Sequence, residues 1–308
     1  MSSKISFTKE NLDRCLRELG KEFRRLKKGD LVAVGRSEDG SNGIYVHATA
    51  FTQPESQGEE SFAFRQGRSR ETAYAMDYDS IYDLLRYEKE HGGHITWVLG
   101  PACCFDWDAR HAFAKLVHGG YVQAVLAGNA LATHDLEAGY RSTALGQDIY
   151  TQISQPGGHY NHIDTINQVR KAGSIEKFVA EQNIQDGIMA ACVQCKVPYV
   201  LTGSIRDDGP LPEVYADVYE GQNAMRDQVK KSTTVICLAT TLHSIATGNM
   251  TPSYRVLADG TVRPVYFYSV DVSEFAVNKL RDRGSLAVKT IVTNVQDFIV
   301  NVQRGLSL

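Results

Sequence analysis

The 308-residue sequence predicts an α/β protein whose parallel sheet is covered by helices. Three observations carry this. From about residue 70, short apolar runs alternate with longer amphipathic stretches: Ile95-Thr-Trp-Val-Leu, Ala124-Val-Leu-Ala, Tyr199-Val-Leu-Thr and Thr234-Val-Ile-Cys-Leu-Ala. Each run stops at a glycine or a small polar residue, namely Gly100, Gly128, Gly203 and Thr240, and is short enough for a strand buried on both faces. No period of about 20–50 residues repeats, which excludes a solenoid.

At the start of the chain, Leu12, Cys15, Leu16, Leu19 and Phe23 recur at helical spacing, so residues 8–28 read as an amphipathic helix, with Thr8 and Glu10 at its start. Gly29-Asp30 leads into Leu31-Val-Ala-Val, and Gly43 into Ile44-Tyr-Val-His, two short strands around a polar turn; residues 53–61 are a polar loop. These make a small N-terminal α+β module, residues 1–70, ahead of a main domain over 71–308. Within the main domain, helices are expected over 78–91, 109–119, 162–171, 175–183 and 213–229, between the strands. Phe267-Tyr-Ser-Val-Asp supplies a further strand, ending at Asp271.

Composition narrows the function classes. Hydrophobic residues are 43% and charged residues 22%, the balance of a globular core. Net charge is -3, from 33 basic and 36 acidic residues that are interspersed, so no nucleic-acid partner is implied. The cluster Lys21, Arg24, Arg25, Lys27 and Lys28 reads as the solvated face of the first helix. With no signal-like apolar region at the start and no membrane-length apolar run, the expectation is a cytoplasmic protein that uses no membrane. Six cysteines at irregular spacing read as free buried thiols. The Cys192-Val-Gln-Cys195 pair lacks a second Cys/His pair, so no metal is expected there.

In an open parallel sheet, ligands bind outside the carboxyl ends of the strands. Four such ends carry polar text here: Gly100-Pro101-Ala102; Gly128-Asn129-Ala130 and on to His134-Asp135; Gly203-Ser204-Ile205-Arg206-Asp207-Asp208; and Thr240-Thr241-Leu242-His243. Singly they are turn punctuation; together they outline a ligand crevice. The Gly-x-Gly-x-x-Gly dinucleotide fingerprint is absent, so any dinucleotide sits in a variant way. Asp271 stands where an acidic residue would hold a ribose hydroxyl, and reads equally well as a strand-ending turn. His134, Asp135, Glu137, Arg206, Asp207 and Asp208 supply imidazole and carboxylate for amine chemistry and a guanidinium fork for a carboxylate. They read equally as a helix-entry cap and a self-neutralised turn. Gly157-Gly158-His159-Tyr160-Asn161-His162 reads as a flexible lid without the carboxylates of a metal site, and Lys279 as a substrate contact or a solvated helix-end lysine.

The runs GPA (100–102), GNALATHDLE (128–137), GGHYNH (157–162), GSIRDDGPLPEVYAD (203–217), LHSIATGNM (242–250) and KLRDRGS (279–285) resemble the archaeal-type ornithine cyclodeaminase family, also known as the lysine-oxoglutarate reductase/saccharopine dehydrogenase conserved domain. The C-terminal part of cyanobacterial arginine dihydrolase/ornithine cyclodeaminase is similar. The resemblance runs from about residue 60 to 300. It implies a Rossmann-like, deoxyhypusine-synthase-like NAD fold and a redox-neutral conversion of ornithine to proline and ammonia. It further implies that Gly100, Pro101, Asn129, Ala130, Gly203, Ser204, Ile205, Thr240, Leu242, His243 and Asp271 hold NAD. His134, Asp135, Arg206, Asp207 and Asp208 would face the amino acid, with no metal. A homo-oligomer, dimer or tetramer, is the expected assembly. Where the family reads Tyr-Gly-Thr-Ser-Leu-Gly, this chain has Tyr140-Arg141-Ser142-Thr143-Ala144-Leu145-Gly146, a rebuilt loop that leaves the substrate open. An opine- or saccharopine-type dehydrogenase, a non-catalytic nucleotide- or amino-acid-binding protein, and a metal hydrolase on His134-Asp135 and Asp207-Asp208 are the alternatives.

Overall fold

A computed structural model describes residues 27–29, 75–257, 260–273, 276 and 287–308. The chain divides into two units, Met1–Phe64 and Arg65–Leu308, and the second contains the described helices and strands. The expected N-terminal helix and strands of the 1–70 module, and Lys279, lie outside the described residues.

Helix α1 (Ala75–Glu90) buries Ile81 and Leu85, one turn apart, and ends before Gly92, whose φ of 66° needs no Cβ. Strand β1 (Ile95–Leu99) is buried throughout, as expected of a central strand. Proline opens a 3-10 turn at Pro101–Cys104, and Asp106 caps α2 (Trp107–His118) by accepting from Ala109 N. Then come β2 (Ala124–Gly128), α3 (Asn129–Arg141) and a small hairpin, β3 (Thr143–Ala144) with β4 (Gln147–Asp148). Helices α4 (Gly158–Ala172), α5 (Ile175–Glu181) and α6 (Ile188–Gln194) lead to β5 (Tyr199–Thr202) and β6 (Val214–Tyr215). Next are α7 (Val218–Val229), β7 (Thr234–Leu238), α8 (Thr241–Met250) and the hairpin β8 (Tyr254–Val256) with β9 (Val262–Pro264). Strands β10 (Tyr266–Asp271) and β11 (Ala287–Val292) and helix α9 (Val295–Gly305) complete the chain.

Seven strands form one parallel sheet in the order β11-β10-β7-β1-β2-β5-β6. Side chains alternate between two cores. Trp97, Leu99, Val125 and Ile236 pack with Phe113, Leu116, Phe298 and Ile299 of α2 and α9. Val98, Leu126, Val235 and Phe267 pack with Met225, Val229 and Met250 of α7 and α8. Burying a side chain of this size stabilises by roughly 1.5–3 kcal/mol, and the two-sided pattern fixes the register. The Trp97 indole donates to Tyr121 O at 2.9 Å, so its polar atom is satisfied within the core. At the amino-terminal edge, fully buried Glu88 accepts from Thr233 Oγ1, Thr234 Oγ1 and both terminal nitrogens of Arg263.

The expected strands stand where the apolar runs lie. Two expected helices start elsewhere. The 213–229 stretch holds β6 before α7, and α4 begins at Gly158, so the Gly157–His162 segment is the entry to a helix and not a lid. Cys103, Cys104, Cys192 and Cys237 are buried free thiols, but Cys195 is exposed, its Sγ 3.1 Å from His118 Nδ1; Cys15 is outside the described residues.

Candidate active site

Strand β1 is followed through α2 by β2 on one side, whereas β7 lies on its other side, so chain direction switches between β1 and β7. A crevice opens at the carboxyl ends there. Gly100 N donates to Leu238 O at 2.8 Å, and a Cβ at Gly100 would lie 2.0 Å from Ala239 O. Only glycine permits that approach. Gly128 and Thr240 precede α3 and α8 without any side-chain cap, so the first-turn amides of two helices face the crevice unclaimed by a capping side chain. His243 crosses from one strand end to another: Nε2 is 2.7 Å from Thr202 Oγ1 and Nδ1 is 3.2 Å from Thr240 Oγ1. Burial lowers its pKa, against the opposing pull of Asp207, so the bridge is a neutral imidazole. A Cβ on Gly128 would stand 3.1 Å from His243 Cε1. Ile205, on the loop after β5, is fully exposed and Leu242, in the first turn of α8, largely so.

Other expected crevice residues have structural partners. The Asn129 side chain is consumed in pinning the loop after β5, donating to Gly209 O at 2.9 Å and accepting from Leu211 N at 3.0 Å. Its backbone, with that of Ala130, is what remains for a ligand. Ser204 N donates to Asp207 Oδ2 at 2.8 Å, closing the Gly203–Asp207 turn, while the Arg206 side chain is exposed. Asp271 Oδ1 accepts from Ser273 N at 2.9 Å at the end of β10.

Beside the crevice, α3 and α4 bring together residues distant in sequence. Glu137 is fully buried and accepts from Thr143 Oγ1 (2.8 Å), Gly146 N (2.9 Å) and Leu145 N (3.1 Å). His162 Nδ1 donates to Glu137 Oε2 at 3.1 Å, and His134 Nδ1 lies 3.5 Å from the same oxygen. The two imidazoles stack, centroids 4.7 Å apart and planes 27° apart. Burial raises the Glu137 pKa, but the His134 and His162 imidazoles, Gly146 N and Thr143 outweigh it and bring it down to about 2. His162 Nε2 faces outward, 3.4 Å from Asp208 Oδ2 on the loop after β5. Phe105 packs on His134 at 5.0 Å and also lines a cavity of about 210 Å³ with Leu145, Ile149 and Gln152.

Donor atoms of His134, Glu137 and His162 fall within 4.8 Å of one another, the spacing of a metal site. Their orientation argues otherwise: stacked rings aim their nitrogens side by side, and the carboxylate already has its hydrogen-bond donors. The arrangement is a carboxylate that accepts from His162 Nδ1, with His134 Nδ1 3.5 Å from the same oxygen and without a hydrogen-bond partner of its own.

Asp135 departs from the expectation that it faces the amino acid. Residues 129–141 form a helix, not a loop, so successive side chains diverge by about 100°. His134 and Glu137, three apart, share one face; Asp135 points to another. There it binds Arg110 Nε at 2.8 Å and accepts from Ile188 N and Met189 N, all buried, and so anchors α6 to α2 and α3. Sequence reasoning assigns no site role to Glu137 as an anchor or to His162 as its partner. The i,i+3 spacing of His134 and Glu137, and a glycine pair just before an amphipathic run, are the available signals. The rebuilt loop begins with Arg141, which pairs with Asp164 and covers the Tyr140 ring, tying the helix of His134 to the helix of His162.

Residues 79–302 match the family described as the C-terminal Rossmann-fold domain of ArgZ-like arginine dihydrolase. The chain is 41% identical over 287 residues to an ornithine cyclodeaminase of Methanocaldococcus jannaschii, covering 91% of this chain and 63% of that protein. It thus spans less than two thirds of that relative's length. It is 35% identical over 246 residues to the bifunctional arginine dihydrolase/ornithine cyclodeaminase AgrE of Nostoc, covering 80% of this chain and 33% of AgrE. A crystal structure of the ternary complex of AgrE with ornithine and NAD+ superposes with a TM-score of 0.69 at 35% identity, over 75% of this chain and 33% of that one. No helix of the described residues is long and apolar enough to cross a membrane.

Proposed function

We propose, since this chain belongs to the family of ArgZ-like arginine dihydrolase C-terminal Rossmann-fold domains, that it is an NAD-dependent, redox-neutral cyclodeaminase converting ornithine to proline and ammonia, or a close relative acting on another basic amino acid. The observation that carries the reading is the His134–His162 pair fixed on Glu137, opening through His162 Nε2 toward Asp208 beside the glycine-lined crevice. The curated relatives named ornithine cyclodeaminase support it.

The residues present fit a dinucleotide. The uncapped starts of α3 and α8, and exposed Ile205 and Leu242, provide backbone donors for phosphates and apolar surface for flat rings. Gly100, Pro101, the Asn129 and Ala130 backbone, Gly203, Ser204, Thr240 and Asp271 would complete the cradle, with His243 as its neutral crossbar. Bound NAD would supply a hydride acceptor for the substrate Cα and return the hydride later, leaving no net reduced cofactor.

The chain's own residues do the rest. Asp208 holds the substrate ammonium, and Arg206, exposed on the same loop, reaches the carboxylate. His162 Nε2 takes the ammonium proton, which the Glu137 carboxylate stabilises through the Nδ1–H bond. His134, stacked on His162, shields that imidazole from water together with Phe105. Asp207 closes the loop that carries Arg206 and Asp208.

The test is to denature purified protein and identify released dinucleotide by mass spectrometry, then to incubate native protein with ornithine while measuring ammonia, proline and the absorbance of reduced nicotinamide. Equal ammonia and proline with no net reduced cofactor is the expected result. Net reduction of the cofactor would instead indicate a saccharopine-type dehydrogenase. Finding neither product with any basic amino acid would sink the cyclodeaminase reading.

A further inference from the structure

At the opposite edge of the sheet, below the amino end of β1, lies a second cavity of about 440 Å³. Five strand residues at about 3.3 Å each separate it from the crevice by roughly 16 Å, so the two are distinct places. Its lining includes Tyr87 and His91 from the end of α1, His94 at the entry to β1, Lys231 after α7, Arg255 of β8 and Arg263 of β9. None of the described lining residues is a carboxylate. Buried Glu88, behind the wall, takes both terminal nitrogens of Arg263 and neutralises that one cation. Arg255 donates to Lys230 O at 2.9 Å and pairs with no carboxylate among the described residues; Lys231 Nζ reaches Gln228 Oε1 at 3.3 Å.

Among the described residues, Lys231 and Arg255 therefore share the cavity with no carboxylate paired to either, Glu88 reaching Arg255 only at a distance. The surroundings register the excess. Burial, Lys231 and Arg255 push His94 down to about 4, and burial and Arg263 push Arg255 down against the opposing pull of Glu88. His94 Nε2 is buried and has no hydrogen-bond partner, an unmet group in the cavity wall. On the other side, the Tyr87 and His91 rings stack at 4.0 Å and 19°, with His91 Nδ1 donating to Tyr87 O at 2.8 Å. A cavity this size is within the range of about 300–1,000 Å³ used for small molecules.

We propose that this cavity binds a phosphorylated small molecule of nucleotide size, its phosphates on Lys231 and Arg255 and its flat ring along Tyr87 and His91. An arginine fork beside a lysine suits phosphate, and the aromatic pair offers a stacking surface for a base. The neutral His94 supplies a hydrogen bond to whatever lies between. Binding here does not depend on the reaction proposed for the crevice.

The experiment is calorimetric titration of the purified protein with ATP, AMP, pyrophosphate and inorganic phosphate, compared between the parent and Lys231→Ala so that binding in this cavity is separated from binding in the crevice. ATP or AMP should bind, and more tightly than inorganic phosphate. Lys231→Ala, at an exposed side chain, should weaken that binding by about tenfold or more and leave the melting temperature unchanged. Adding Arg255→Met should remove it. The proposal is overturned if no nucleotide binds, if inorganic phosphate binds as tightly as the nucleotides, or if Lys231→Ala binds as well as the parent.

Discussion

Replacing Glu137 with glutamine keeps the shape of the side chain and removes its charge, so it isolates what the carboxylate does. All four short contacts to it are donations, from Thr143, Leu145 N, Gly146 N and the His162 imidazole. An amide turns one of the two oxygens into a donor, and that group then faces two others. Two buried donors left unmet cost about 1–3 kcal/mol each. A second route gives a similar figure. A carboxylate brought from an ordinary 4.5 to about 2 by its partners stabilises the fold by about 3 kcal/mol. The folded pKa is below the unfolded one, so this stabilisation is complete above pH about 4.5 and is lost as pH falls through about 2. Urea denaturation of parent and Glu137→Gln should therefore show a gap of about 3 kcal/mol at pH 7 that narrows steadily below pH about 4.5. Turnover should fall as well, since both imidazoles lose their anchor. A variant as stable as the parent at pH 7, or a gap independent of pH, would refute the reasoning.

Gly100→Ala should lower dinucleotide affinity and cost about 1–3 kcal/mol, because its Cβ would drive into Ala239 O; equilibrium dialysis and thermal melting check this. Asp135→Asn should destabilise by about 1–3 kcal/mol, since Arg110 keeps Asp186 as its ion partner but Ile188 N, Met189 N and Arg110 Nε lose the carboxylate, whereas Asp208→Asn should abolish turnover with an unchanged melting temperature; the reverse pattern would exchange their roles. For His243 the folded pKa is lowered, so its contribution is present above the unfolded value near 6.5 and is lost as pH falls through the folded one. Stability curves of parent and His243→Gln should therefore converge toward acid pH, and parallel curves would count against the buried neutral bridge.

The sheet is legible because burial on both faces writes itself as unbroken apolar runs. Ile95–Leu99 is a strand with the bounds its residues suggest. The helices at the strand ends are hidden by the same chemistry that makes them useful. Glycine and threonine at Gly128 and Thr240 look like turn residues, and polar residues come at once after them, so 129–141 and 241–250 resemble loops although both are helical. A loop there would let His134 and Asp135 share a site; on a helix they cannot. His162 is legible as a histidine after a glycine pair, but its partner Glu137 lies 25 residues earlier, a pairing that only tertiary structure creates.

The position of β1 also governs how the chain is made. Its β2 neighbour arrives after one short helix, but the base of its other edge closes only when His94 meets Thr233, 139 residues later. At usual translation speeds that interval is on the order of ten seconds. During it, a wholly buried strand of the finished fold carries an open row of amides and carbonyls, a template for any passing strand. The nascent chain is thus most exposed to misassembly at its own centre, and completion of β7 is the moment at which that hazard ends.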